Sequence, residues 1–330
     1  MTFMAKFFGA TALVAAAATA QAEPALMYDL GGKFDKSFNE AAYNGASRWA
    51  EESGETYREI EVTSEAQRVQ FATRLAEAGF NPIVVLGFQN AATLEEVAPK
   101  YPDTTFALID MVVDLPNVRS VVFTEHEGSY LVGMMAALAS ESDTVGFIGG
   151  MDVPLIRKFA CGYAQGVKAV NPDATVIANM TGSTPAAWND PVKGGELTKA
   201  QISQGADVVY AAAGGTGVGV LQAAADAGVL SIGVDSNQNH LHPGSVLTSM
   251  LKRVDNAVFK AFEDGPGMET GIQVLDLASG GVDYAVDENN QALVSDDMKT
   301  MVEEAREKIV AGEIAVHDYM SDDSCPVLNF

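Results

Sequence analysis

From Pro24 onward, short apolar runs alternate with amphipathic stretches along the whole chain, and this alternation constrains the fold more than any other feature. Period-2 or continuous apolar runs at 25–29, 57–62, 82–86, 104–109, 117–123, 144–149, 174–179, 206–211, 229–234, 245–249 and 271–276 predict strands. Helical periodicity at 36–53, 65–79, 88–99, 125–141, 153–170, 193–204, 216–227, 253–264 and 295–312 predicts the helices between them. Near-continuous apolar strands joined by helices specify parallel sheets covered on both faces. About ten such units in 330 residues exceed one doubly wound sheet, so the reading is two α/β lobes of roughly 150 residues each. No Pro- or Ser-rich linker separates them, so the chain is expected to cross between lobes more than once.

The first 22 residues stand outside this pattern. Lys6 precedes an apolar and small-residue run from Phe7 to Ala18, and Ala20-Gln21-Ala22 fits a small-x-small cleavage site. The run is shorter than the ~20 residues that span a bilayer, so it reads as a signal peptide, residues 1–22, rather than an anchor. No cysteine precedes Cys161, so no lipid-attachment cysteine is available there, and the mature chain is expected to be exported without a stable membrane anchor. The full chain's 44 acidic against 20 basic side chains give a net charge of −24. Such a surface repels phosphate backbones and anionic headgroups, which argues against nucleic-acid binding.

Three apolar runs end in Asp, at Asp29, Asp110 and Asp235, and two end in glycine pairs, Gly149-Gly150 and Gly214-Gly215. Ligands of open α/β sheets sit beyond the carboxyl ends of strands, so these residues mark a polar binding site. Asp and Gly are also ordinary turn residues, and it is their convergence that favours a site. The catalytic fingerprints are missing: Ala213–Val220 has the wrong spacing for a dinucleotide loop, and neither a P-loop nor a G-x-S-x-G elbow occurs. His240 and His242 lack further ligands nearby in sequence, so no metal and no cofactor is expected. Phe38 and Asn39 open the helix after the first strand, and Trp188 stands in a loop, offering flat faces and directional polar groups for a planar ligand.

Five stretches, Asp29–Glu52, Phe123–Leu138, Val145–Pro172, Trp188–Ala224 and Ile232–Phe259, resemble the basic membrane protein family of purine-nucleoside-binding components of ABC importers. The resemblance covers nearly all of the mature chain. It implies a type I periplasmic-binding-protein fold, with residues 23–124 and about 246–270 in one lobe and 125–245 and about 271–330 in the other. It also implies a binding function without catalysis: a monomer in the periplasm that takes a nucleoside to an ABC permease. Carried over by motif, Asp29, Asn39 and Asp110 would read the base, Phe38 and Trp188 would stack on it, Gly214 and Gly215 would form the glycine-rich loop, and Asp235 and Lys252 would hold the ribose. Trp188 replaces the family's usual Phe, which leaves purine, pyrimidine or another flat heterocycle open. The alternative from another class is an exported nucleoside hydrolase using the strand-end acids. The two cysteines, even in number and in an oxidising compartment, are expected to pair as Cys161–Cys325 and to pin the C-terminus.

Overall fold

The computed structural model describes residues 22–330, so the expected signal peptide lies outside the described residues except for Ala22. Two six-stranded sheets organise the chain. The first contains β1 (Ala25–Tyr28), β2 (Arg58–Glu61), β3 (Ile83–Leu86), β4 (Phe106–Ile109), β5 (Val118–Phe123) and β11 (Gly271–Leu275), in the order β11-β5-β4-β3-β1-β2. The second contains β6 (Thr144–Met151), β7 (Thr175–Gly182), β8 (Val208–Ala212), β9 (Leu230–Asp235), β10 (Val246–Lys252) and β12 (Val282–Tyr284), in the order β12-β10-β9-β8-β6-β7. All of these pairings are parallel except β10 with β12. The central strands β1, β3 and β4 are buried throughout, because helices cover both faces. The edge strand β2, with the sequence REIE, carries charge outward and so resists further pairing.

Each sheet reverses its strand order once, between β1 and β3 in the first lobe and between β6 and β8 in the second. That reversal opens a crevice at the carboxyl ends of the strands. Registers Ala25↔Ile83 and Ile83↔Phe106 bring the ends of β1, β3 and β4 to a common edge. Asp29, Gly87 and Asp110 therefore emerge side by side.

The lobe boundaries depart from the sequence reading. Residues 246–252 were expected in the first lobe, but β10 pairs with β9 in the second, and β11 pairs with β5 in the first. The chain crosses between sheets at Thr124, at Arg253 and between Leu275 and Val282. Periodicity gives a strand's type and not its sheet, so the crossings are visible only in the pairing. The crossings are stitched together: Thr124 N donates to the Leu275 carbonyl (3.1 Å), and Arg253 N to that of Gly281 (2.9 Å).

The helices are α1 (Phe38–Ser53), α2 (Gln67–Glu77), α3 (Ala91–Val97), α4 (Glu125–Ala139), α5 (Pro154–Val170), α6 (Pro191–Ser203), α7 (Gly217–Ala227), α8 (Val254–Asp264) and α9 (Asp296–Val310). None of the described helices is long and apolar enough to cross a membrane. Helix α4 packs against α5 nearly backbone to backbone. A Cβ on Gly133 would lie 2.2 Å from the Tyr163 carbonyl oxygen, and one on Gly166 would lie 2.0 Å from that of Tyr130. The C-terminal segment then wraps α5. Cys325 is bonded to Cys161 with Cα atoms 5.7 Å apart, and His317 exchanges two hydrogen bonds with the Gln165 side chain.

Because the α4–α5 contact leaves no room, Gly166→Ala is expected to cost about 1–3 kcal/mol of stability by overpacking. Gly267→Ala, where a Cβ meets nothing within 4 Å, is the control and should be neutral. Thermal unfolding of the two variants checks this, and equal midpoints would contradict the packing account.

Candidate functional site

The carboxyl edges of the two sheets line a cleft between the lobes, with aromatic, acidic and basic side chains converging on it. Eight of the nine ligand residues expected from sequence line it: Asp29, Phe38, Asn39, Asp110, Trp188, Gly214, Asp235 and Lys252. Gly215 does not. It is buried behind the loop, where a Cβ would press on the Trp188 carbonyl oxygen at 3.3 Å.

Asp29, directly after β1, is fixed from two sides. Its Oδ1 accepts from Arg68 Nη2 (3.0 Å) and from Leu30 N (2.8 Å), and its Oδ2 occupies the space that a Cβ on Gly87 would take. Burial pushes its carboxyl up to about 6, against the pull of Arg68. Asn39 lines the cavity, but its amide is committed to the backbone. Oδ1 accepts from Asp29 N, and Nδ2 donates to the carbonyls of Asp29 and Gly32. Its main work is to close the turn between β1 and α1, so less of it is free for a ligand than the resemblance implies.

Asp110 and Asp235 end β4 and β9 with positive φ, 78° and 64°, a region that non-glycine residues rarely occupy. Asp235 accepts from Ser37 Oγ of the opposite lobe, and Ser236 Oγ donates to the Ser37 carbonyl (2.8 Å). These bonds hold the lobes together across the cleft. Asp110 lies 2.6 Å from Lys252 Nζ, and its Oδ1 is buried without a hydrogen-bond partner. Such an orphan acceptor is costly unless a donor meets it. Burial pushes the Asp110 carboxyl up to about 6 despite Lys252.

Lys252, the last residue of β10, is 2% exposed. Its ammonium sits 5.1–5.5 Å from the ring centres of Phe38, Phe123 and Phe159, and 3.1 Å from Glu125. An ammonium has three N–H donors; one is given to Asp110, and Glu125 adds an opposite charge beside it. Trp188 ends a single helical turn, Pro185–Trp188. Its indole is seated where side chains are missing, since a Cβ on Gly150 would fall 2.1 Å from its ring.

Sequence reasoning missed three polar residues of this region. Asp35 lines the cavity and accepts backbone N–H bonds from Ser37, Asn39 and Glu40, capping α1. Its place just before an amphipathic helix was the available signal. Burial raises its carboxyl to about 7, against those three bonds. Arg68 gave no signal, since one Arg in a polar helix reads as surface. Glu125 follows the apolar run of β5 just as the Asp residues follow theirs, but only runs ending in Asp or Gly had been singled out.

The raised carboxyls fix the sign of a pH dependence. In the unfolded chain these groups ionise near 3.8, whereas in the fold Asp29 and Asp110 do so at about 6 and Asp35 at about 7. Between those limits the folded state holds more protons than the unfolded state, so stability falls as pH rises through the window. His126, held below its ordinary value by burial, opposes this as a single group. The ligand-free protein is therefore expected to melt at a higher temperature near about pH 5.5 than near about pH 7.5. Asp35→Asn should flatten the difference. Calorimetry across the window checks it, and a midpoint that falls on acidification would contradict it.

A family model described as ABC transporter substrate-binding protein PnrA-like matches residues 23–319. The chain is 31% identical to the ABC transporter nucleoside-binding protein BmpA of Lactococcus lactis, with 88% of each chain covered. It is 32% identical to a CD4+ T-cell-stimulating antigen of Listeria monocytogenes, covering 88% of this chain and 87% of that one. Among solved structures, an ABC transporter solute-binding protein of Aeropyrum pernix superposes with a TM-score of 0.81 at 30% identity, over 92% of this chain and 95% of that one.

Proposed function

The chain belongs to the Bmp family of PnrA-like ABC transporter substrate-binding proteins, and from that premise we propose that it captures a nucleoside, preferentially a purine nucleoside, between its lobes and delivers it to an ABC importer outside the cytoplasm. The observation that carries this reading is the composition of one cavity: aromatic faces from Phe38 and Trp188, strand-end acids, and one buried ammonium. A planar base fits against aromatic walls, since stacking uses area without needing hydrogen-bond partners. Donors on the base edge suit the Asp29 carboxylate and the orphan Asp110 Oδ1. Ribose hydroxyls, which both donate and accept, suit Asp235 and the N–H groups of Lys252 not given to Asp110.

Charge narrows the class further. Four acids line the cavity (Asp29, Asp35, Asp110, Asp235) against one base (Lys252), with Arg68 paired to Asp29 behind them, so the lining keeps a surplus of negative charge. A phosphate in this space would meet like charge at low dielectric. The ligand is therefore neutral or cationic, and a nucleotide is rejected. The family's role is substrate binding, and this reading gives no lining residue a catalytic part.

Calorimetric titration with nucleosides, their free bases and their 5′-monophosphates tests this reading. Nucleosides are expected to bind and monophosphates not to bind. Trp188→Ala should cost about 1–3 kcal/mol, the range for loss of base stacking. Asp235→Ala should weaken nucleosides far more than free bases. Tight monophosphate binding would overturn the reading, and steady release of free base would replace transport by hydrolysis.

A further inference from the structure

Behind the cavity lies a second layer of charge that the ligand contacts do not use. Glu125 is the first residue of α4, 1% exposed, and stands between two lysines. Its Oε1 is 3.1 Å from Lys252 Nζ and its Oε2 is 3.0 Å from Lys158 Nζ. Lys158, on α5, also donates to the Phe123 carbonyl (2.7 Å) and lies 3.6 Å from Asp318 of the C-terminal segment.

The two anions around Lys252 differ in where they are carried. Asp110 ends β4, in the first lobe, while Lys252 ends β10, in the second. Their pair spans the cleft, so it must stretch when the lobes part. Glu125 begins at the first crossing, on a helix packed against β10 and against α5, which carries Lys158. Glu125, Lys158 and Lys252 thus move as one body with the second lobe. A buried ammonium cannot be left without an anion when the cleft opens.

We propose that Glu125 is the positioning residue of this ligand site: braced by Lys158 at the hinge, it holds the Lys252 ammonium charged and aimed at the ligand in both the open and the closed protein. The groups facing Lys252 are Asp110 from β4, Glu125 from α4, Asp235 from β9 and the rings of Phe38, Phe123 and Phe159, with Lys158 behind Glu125. Glu125 suits the part. Burial opposes its charge, yet Lys158 and Lys252 outweigh burial and keep its carboxyl at about 2, while Asp110 accepts a proton at about 6. The start of a helix adds favourable backbone dipoles.

Two measurements on Glu125→Gln test this, and only the second rests on the nucleoside reading. In ligand-free protein with 13Cε-labelled lysine, NMR titration follows the Lys252 ammonium, its resonance identified by its loss in Lys252→Gln. Wild type is expected to hold its proton above the ordinary lysine range, and Glu125→Gln to release it at least about one unit lower than wild type, as expected when a charge partner is removed. In calorimetry with inosine, guanosine and adenosine, Glu125→Gln should weaken binding on the order of 30-fold or more. It should add nothing in a Lys252→Gln background, since it acts through that lysine. An unmoved titration, or losses that simply add, would overturn the proposal. If no nucleoside binds wild type, the function fails while the titration still decides the role of Glu125. Should Glu125→Gln not fold, Glu125→Asp keeps the charge but withdraws it: a smaller shift of the same sign supports the proposal, and no shift overturns it.

Discussion

Lys252 holds a full positive charge almost entirely out of water, and the arrangement of the cleft follows from the need to pay for that burial. Removing an ammonium from solvent costs several kcal/mol even after relaxation, so anions and polarisable faces must surround it. The structure supplies Asp110 and Glu125 at 2.6 and 3.1 Å and three aromatic rings at slightly over 5 Å. Those groups come from both lobes and from the first crossing, and Lys252 itself adjoins the second. A single side chain thereby ties the hinge to the cavity, and one of the two acids that stabilise it, Asp110, also lines that cavity.

The same logic extends outward to the C-terminus. Lys158 neutralises the far side of Glu125, and Asp318 stands beyond Lys158. Asp318 belongs to a segment with little secondary structure of its own, held on α5 by the Cys161–Cys325 bond, by the Gln165–His317 pair and by Arg157 donating to Tyr319 Oη. Leu155, Ile156 and Phe159 of that helix line the cavity. The terminal segment thus braces the outer face of a helix whose inner face touches the ligand space.

Much of this was legible in the sequence. Alternating apolar runs gave the strands, and the rule that ligands gather at strand ends placed Asp29, Asp110 and Asp235 together before any contact was known. Those signals are local. What failed was non-local: β12, three residues with Asp283 at its centre, exists only because β10 offers it an edge, and β10 itself lies in the lobe opposite to the one expected. Asn39 was legible as a site residue but not as one whose amide closes its own turn. Arg68 and Lys158 look like surface charges on amphipathic helices, and only the fold reveals the carboxylates that allow their burial.

The central claim is that a cavity with aromatic walls, surplus negative charge and one buried ammonium selects a neutral nucleoside. It is tested most directly by purifying the protein natively, releasing its ligand by denaturation and identifying that ligand by mass spectrometry. The account predicts an intact nucleoside, present in proportion to protein and missing from Trp188→Ala prepared in parallel. A phosphorylated or otherwise anionic compound, retained equally by that variant, would contradict it.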